Sequence, residues 1–231
     1  WGTASAGGVN STYGTIFRIR PETGEFQTMH NFASGANGNS PICGLVSDGQ
    51  GYLWGMTRYT NNGTSTHGTL FRIHELTGVF ERRLTFASTV TPMGRVPQGA
   101  LYYDGAGNLW GTTSLGSTNG YGNVFKYVIA TSTLTTVADF NDRGVLAGAI
   151  KGSGAASALV PDGNGFLWGV TPYGGDSTGN GTVFKVEMAT GTATSVIEFS
   201  NNGSSNKGST PLGPLMNDGA GNLWGVASAG A

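Results

Sequence analysis

The sequence predicts an all-β chain, a β-propeller of four-stranded antiparallel blades, on three observations. Tryptophans recur at nearly constant intervals, the last four each close one repeated hairpin motif, and a second β-type motif follows each of the first four at a similar distance. Trp1, Trp54, Trp110, Trp168 and Trp224 are separated by 53, 56, 58 and 56 residues. A period of that size marks a repeat architecture, in which each unit buries its apolar face only against its neighbours.

The hairpin motif reads LVSDGQGYLWG over Leu45–Gly55, LYYDGAGNLWG over Leu101–Gly111, LVPDGNGFLWG over Leu159–Gly169 and LMNDGAGNLWG over Leu215–Gly225. Asp-Gly-x-Gly between two apolar runs is turn chemistry, since Gly reaches positive φ and Asp caps the turn through its own carboxylate. Two strands follow from it. The third strand is GTIFRI from Gly14, GTLFRI from Gly68, GNVFKY from Gly122 and GTVFKV from Gly181. A Thr-Gly turn at Thr23, Thr77 and Thr190 then leads into a fourth run that ends in Phe32, Phe86, Phe140 or Phe199.

Four strands per roughly 56 residues is the content of one blade, and the nearly continuous apolar stretch Ile16, Phe17, Ile19 fits a sheet covered on both faces. A two-sheet sandwich would alternate more cleanly, and solenoid coils are shorter with fewer strands. The predicted units are residues 1–53, 54–109, 110–167 and 168–223, with the start of a fifth at 224–231. The third departs most: Asn123 stands for Thr, the Thr-Gly turn is missing, and 142–156 is longer and rich in Gly and Ala. Strand counting leaves an anomaly, because the chain starts and ends in a second strand. Trp1–Gly7 (WGTASAG) and Trp224–Gly230 (WGVASAG) would claim one position in a closed four-bladed ring. The expectation is an arc of a larger propeller, with a closed or self-assembling four-bladed form as the alternative.

The pattern LVxDGxGNLWGTT…GxGTVFK…G…F resembles a bacterial tandem-repeat family often called GloVer repeats, and the resemblance covers essentially the whole chain. It implies an exported or surface-attached propeller and brings no catalytic residues with it.

Charged residues are only 11% and the net charge is -1, so no field favours nucleic acid or an anionic membrane surface. Gly is 41 of 231 residues, yet 10% aromatics in regular clusters argue against disorder. The single cysteine, Cys43, cannot form an internal disulfide, and no Cys/His spacing suggests a metal. No apolar run reaches the ~20 residues that span a bilayer. Few lysines among many hydroxyl and amide side chains fit a secreted or cell-surface protein, and the start at Trp1, without an initiator Met or signal peptide, reads as a processed or truncated end.

Short connections of the Asp-Gly-x-Gly and Thr-Gly kind fall on one end of the blades, and long variable ones fall on the other. Binding belongs on the variable end. The candidates there are Arg58, Tyr59, His67, Tyr121, Asp142, Arg143, Tyr173 and Asp176, in loops otherwise made of Gly, Ser, Thr and Asn. Flat rings, amides and hydroxyls suit sugars as well as protein surfaces. Asp142 and Asp176 are the acidic residues of these loops, so a hydrolase or lyase acting on polysaccharide would have to use them.

The turn residues Asp48, Asp104, Asp162 and Asp218 superficially resemble a calcium loop. Its twelfth position holds Tyr59, Leu115, Tyr173 or Ala229 rather than Glu, so no metal is expected there. The third-strand cations Arg18, Arg72, Lys126 and Lys185 read as ordinary ion-pair partners of the fourth strand, as Lys185 with Glu198. The sequence thus points to a non-enzymatic interaction or structural module of an extracellular assembly, with other protein chains or surface glycans as partners and no cofactor. A glycan-binding propeller and a polysaccharide-acting enzyme are the alternatives. Self-association, or additional blades beyond those present, would cover the open ends.

Overall fold

The computed structural model describes residues 1–9, 13–33, 35–60, 67–86, 93–144, 150–175, 179–200 and 208–230. Among them every regular element is a strand, and the sheets are those of a β-propeller. The first sheet has three strands, β1 (Gly2–Ala4), β2 (Thr15–Arg20) and β3 (Glu25–Asn31). The second has four, β4 (Val46–Ser47), β5 (Tyr52–Thr57), β6 (Thr69–His74) and β7 (Phe80–Thr85).

The third sheet is built on β10 (Asn108–Leu115), β11 (Asn123–Val128) and β12 (Thr133–Asn141). Its inner strand is broken in two, β8 (Arg95–Pro97) and β9 (Tyr102–Tyr103), which pair with opposite ends of β10. A short β13 (Ile150–Lys151) runs parallel to β12. The fourth sheet holds β14 (Val160–Pro161), β15 (Phe166–Thr171), β16 (Thr182–Glu187) and β17 (Ala193–Glu198). A last hairpin supplies only the first two strands of a further sheet, as β18 (Ser209–Pro211) with β21 (Ala227–Ala229) and β19 (Met216–Asn217) with β20 (Leu223–Trp224).

One device is repeated in each of the four sheets. The register between the third and fourth strands slips immediately before the conserved-pattern phenylalanine, at Ile16/Phe17, Leu70/Phe71, Val124/Phe125 and Val183/Phe184. A bulge re-aims the side chain that follows it, and here it turns the ring into the joint with the preceding sheet. Phe71, Phe125 and Phe184 are fully buried there. Each packs over a glycine of the second strand. A Cβ on Gly55, Gly111 or Gly169 would lie 2.6, 2.5 or 2.5 Å from the ring of Phe71, Phe125 or Phe184. That close approach is why the tryptophan of these three hairpins is followed by Gly.

The turn aspartates do more than cap. One carboxylate oxygen accepts the backbone amides of the turn, and the other accepts the indole N–H of the tryptophan across the hairpin. Asp48 takes Gln50 N at 2.8 Å, Tyr52 N at 3.2 Å and Trp54 Nε1 at 2.8 Å. Asp104, Asp162 and Asp218 repeat the indole bond at 3.1, 3.0 and 3.0 Å. Burial pushes the carboxyls of Asp104 and Asp162 upward, but the converging hydrogen bonds outweigh it and hold both below the usual carboxylate range.

The third-strand cations are placed differently from the sequence expectation. Arg72 does pair with Glu81 across the strand at 2.8 Å, but Glu198 stands opposite Thr182 and bonds Lys151, while Lys185 faces Thr194. Directly opposite Lys185 on its other side is Trp168, as Lys126 is opposite Trp110 and Arg72 opposite Trp54. The cations therefore lie over second-strand aromatic faces: Arg72 is 3.9 Å from the Tyr52 centroid, Lys185 4.6 Å from Phe166 and Lys126 5.3 Å from Trp110. Arg72 has both an acid and a ring, whereas Lys126 and Lys185 face Thr135 and Thr194 on the fourth strand, which leaves the ring as their nearest counter-field.

Asn123, the odd residue of the third sheet, keeps the bond its replaced threonine would make. Thr113 Oγ1 donates to Asn123 Oδ1 at 2.8 Å, where the second and fourth sheets have Thr57–Thr69 and Thr171–Thr182 at 2.8 and 2.9 Å. Cys43 is buried and hydrogen-bonds the carbonyl of Met56. Burial pushes its thiol up to about 11, so it stays protonated at neutral pH.

His30 closes the outer edge of the first joint, stacked on Phe80 of the next sheet with centroids 4.0 Å apart and edge-on to Phe32. Its Nε2 is buried without a hydrogen-bond partner, and burial lowers its pKa from 6.5 to about 4. The folded protein thus holds neutral imidazole while the unfolded chain takes up a proton below its ordinary pKa. Stability is full above about 6.5 and is lost as pH falls toward 4. After allowance for solvent screening of a part-exposed ring, the loss by about pH 5 is about 1 kcal/mol. Urea unfolding at neutral pH and at about pH 5 should show it, and His30→Phe should flatten it.

Candidate functional site

The inner strands carry a repeated backbone feature. Ser40, Val96, Gly154 and Thr210 occupy the same repeat position, and all have positive φ, at 54, 57, 73 and 55°. For a β-branched residue, and for one followed by proline, that conformation is costly. Its effect is to aim the N–H of each at the loop of the preceding sheet. Ser40 N reaches Tyr13 O at 2.8 Å, Val96 N His67 O at 3.4 Å, Gly154 N Tyr121 O at 3.2 Å and Thr210 N Asn180 O at 2.8 Å. The next residue, Pro41, Pro97 or Pro211, then lies against Gly14, Gly68 or Gly181, where a Cβ would come within 2.7, 2.6 or 2.8 Å of the proline Cδ. The positive-φ residue latches each inner strand to its neighbour, with a proline behind it in three of the four cases.

Beside this latch, on the end with the long connections, a cleft of about 380 Å³ opens between the third and fourth sheets and the last hairpin. Arg58 and Tyr173 reach it from the ends of the second strands, Tyr121 from the connection before the third strand, Val96 from β8, Gln98 from just after it, and Ser153 from an isolated bridge to Tyr173. Its far side is apolar, with Leu115, Pro172 and Leu212. Tyr121, Tyr173, Leu115 and Leu212 are exposed to solvent. Gln98 Nε2 donates to Ser114 Oγ at 2.8 Å, which donates to Val96 O at 3.0 Å, so that wall is fixed.

Arg58 is the charged group of the cleft, and no acidic side chain lines it among the described residues. Its guanidinium lies over the ring of Tyr59, 5.0 Å from the centroid, and its Nε is buried without a hydrogen-bond partner. A guanidinium held by a ring and facing a cleft with no counter-charge invites an anionic acceptor.

The sequence-predicted residues divide accordingly. Arg58, Tyr121 and Tyr173 meet in the cleft, and Tyr59 supports Arg58 from behind. His67 gives its carbonyl to the latch and does not line the cleft. Asp142 and Arg143 pair with each other at 4.0 Å, and Asp142 O accepts Gly175 N at 2.7 Å, again away from the cleft lining. Asp176 lies outside the described residues. Among the described residues no group of His, Cys, Asp and Glu is placed to hold a metal ion, and no helix is long and apolar enough to cross a membrane. Sequence reasoning missed Val96, Gln98, Ser114 and Ser153. The signal available was the residue before the inner-strand proline, whose spacing matches that of the tryptophans.

The Gloeobacter/Verrucomicrobia repeat matches residues 91–231, more than half of the chain. The chain belongs to that repeat family. Among curated proteins none matches it. A chain of the nidogen/laminin complex is similar in fold at 13% identity and a TM-score of 0.57, over 93% of this chain and 64% of that one. TolB from Acinetobacter baumannii is similar at 11% identity and a TM-score of 0.50, over 92% and 45% of the two chains. The periplasmic gluconolactonase PpgL of Pseudomonas aeruginosa is similar at 13% identity and 0.50, over 100% and 67%. This chain spans less than two thirds of the first two. At such identities the likeness is one of propeller architecture, and function has to be argued from the site.

Proposed function

We propose that this chain is a non-enzymatic interaction module, exported to the cell surface or beyond, that seats an extended acidic segment of a partner protein in the cleft. The observation that carries the reading is Arg58, a guanidinium with no acidic side chain beside it in the cleft among the described residues, sharing that cleft with two exposed tyrosines and apolar side chains. A carboxylate would meet Arg58, and an aromatic or aliphatic neighbour would lie against Tyr121, Tyr173, Leu115 and Leu212. Tyrosine and arginine are enriched at protein interfaces and among the residues that carry most of their binding energy. The low overall charge and the family's repeat pattern support an extracellular setting.

A second reading, a glycan ligand, draws support from the same exposed tyrosine rings beside the Gln98 amide and the Ser114 and Ser153 hydroxyls. One experiment separates the two: a displayed peptide library and a glycan array, each probed with the native protein, Tyr173→Ala and Arg58→Gln. The expected result is enrichment of acidic-aromatic peptides, with affinity falling about tenfold or more in either variant and weakening with salt. Binding to neutral glycans alone would favour the second reading, and capture that survives both substitutions would remove the cleft from consideration.

A further inference from the structure

A groove of about 400 Å³ opens between the second and third sheets, on the end with the short connections. Its residues run from Asp48 to Ala130, so neither chain end forms any part of it. Tyr52 and Arg72 line it from β5 and β6, Tyr103 from β9, and Ile129 and Ala130 from the turn after β11. None of these residues lines the cleft at Arg58.

Comparison of the repeats shows what is particular about this joint. At the positions of Tyr52 and Tyr103, the joint between the third and fourth sheets has Asn108 and Pro161. The other hairpins carry Phe166 and Asn222 at the first position and Ser47 and Asn217 at the second. Only here do two tyrosines meet from the two sides of a joint. Arg72 stands where the next two sheets have Lys126 and Lys185. Both tyrosine rings rest on the second apolar cluster and turn the rest of their surface to the groove.

The charges and backbone groups around the groove are already spent. Arg72 donates from Nε and Nη2 to Glu81 Oε2 at 3.0 and 2.8 Å and lies 3.9 Å from the Tyr52 centroid. His74 stands edge-on to the same ring at 5.1 Å, so the ring is held by two neighbours. Asp48 receives Gln50 N, Tyr52 N and Trp54 Nε1. With Arg72 matched by Glu81, the Asp48 charge turns anions away. Gly51 O accepts Glu75 N at 2.9 Å and Gly107 O accepts Ile129 N at 3.0 Å, so an extended peptide finds no open ladder in these carbonyls. The unspent groups are the two phenol hydroxyls, the Gln50 amide and Arg72 Nη1, none of which bonds another protein group among the described residues.

We propose that this groove binds a neutral sugar ring of a glycan. A pyranose carries an apolar face of C–H groups and a rim of hydroxyls, the complement of an aromatic wall beside neutral donors and acceptors. The C–H face lies on Tyr103, across the groove from the clamped ring of Tyr52. The hydroxyls exchange hydrogen bonds with Gln50, the phenols and Arg72 Nη1. Arginine suits this position where lysine would not, because its fork holds Glu81 while a further donor stays available. The groove volume is in the range of small-ligand sites.

Saturation-transfer NMR and calorimetry on the full chain test this, with cellotriose, maltotriose, mannotriose and the N-acetylglucosamine trimer as probes. At least one is expected to bind with a dissociation constant on the order of 1 mM, unchanged by salt because the ligand is neutral. Tyr52→Asn and Tyr103→Ser install residues that other hairpins of this chain carry at those positions, so the strand pattern is kept. Each should weaken binding about tenfold or more. Tyr103→Phe keeps the ring and should weaken it only about threefold, and Arg58→Gln should bind as the native protein does. The proposal is overturned if none of the four sugars binds saturably, if binding survives both Tyr52→Asn and Tyr103→Ser, or if Arg58→Gln abolishes it. A displayed peptide that is lost in Tyr103→Ser and not displaced by any of the sugars would assign the groove to a protein partner and overturn it as well.

Discussion

Phe125→Ala is expected to lower the unfolding free energy by about 3–5 kcal/mol, because it empties a fully enclosed site that cannot collapse. The ring is fully buried, lies 5.3 Å from Phe86 across the joint, and rests on the bare backbone of Gly111. Closure of the void would require the neighbouring sheet to move as a whole, and that sheet is tied by the latch at Val96 and Pro97. Phe71→Ala and Phe184→Ala should cost similar amounts, since both rings are equally buried. Phe17→Ala should cost about 1 kcal/mol, because Phe17 is only half-buried and packs on Gly2 and Phe26 of its own sheet rather than in a joint between sheets. Urea titration of the four variants reads this gradient as shifts in midpoint. Equal costs at all four positions would show that the bulge and strand, rather than the joint, supply the stability.

That gradient was legible in the sequence only in part. The letters of the repeat announced the hairpin, the third strand and the closing phenylalanine, because glycine, aspartate and aromatic residues at fixed spacing have few structural meanings. The inner strand was harder to read. Its break between Pro97 and Tyr102 comes from a positive-φ residue before proline, and nothing in Arg-Val-Pro declares that conformation. The cations of the third strand were read as ion pairs from their charge, whereas register puts Lys126 and Lys185 over tryptophans. The cleft was legible in some of its parts and hidden in others. Arg58, Tyr121 and Tyr173 stand out as large side chains in small-residue loops. Gln98 just follows β8 and Ser114 lies in β10, and only the packing of successive sheets turns them toward the same space. Asp142 and Arg143 looked like neighbours of that space, but they lie outside its lining, with their charged groups 4.0 Å apart.

The hairpin bond between aspartate and tryptophan was also invisible in one dimension, and it supports the second large prediction. Asp48→Ala is expected to cost about 3 kcal/mol, the loss of a charged acceptor plus the burden of a buried indole N–H left without a partner. Asp48 is 4% exposed and Trp54 fully buried, so water cannot take over the bond. Asp48→Asn should recover little of this. An amide can accept at one oxygen, so either the turn amides of Gln50 and Tyr52 or the indole of Trp54 would face its NH2 group, donor against donor. Asp218→Ala in the exposed last hairpin removes the same bonds but leaves its donors open to water, so it should perturb only that hairpin. The same chemistry sets an acid limit. Asp104 and Asp162 hold their carboxyls below the ordinary 3.8, so their contribution is complete above that pH and is lost as pH falls beneath it. A midpoint measured against pH should therefore drop in two steps, the first from His30 between about 6.5 and 4 and the second from the hairpin aspartates below 3.8. His30→Phe should remove the first step and leave the second in place.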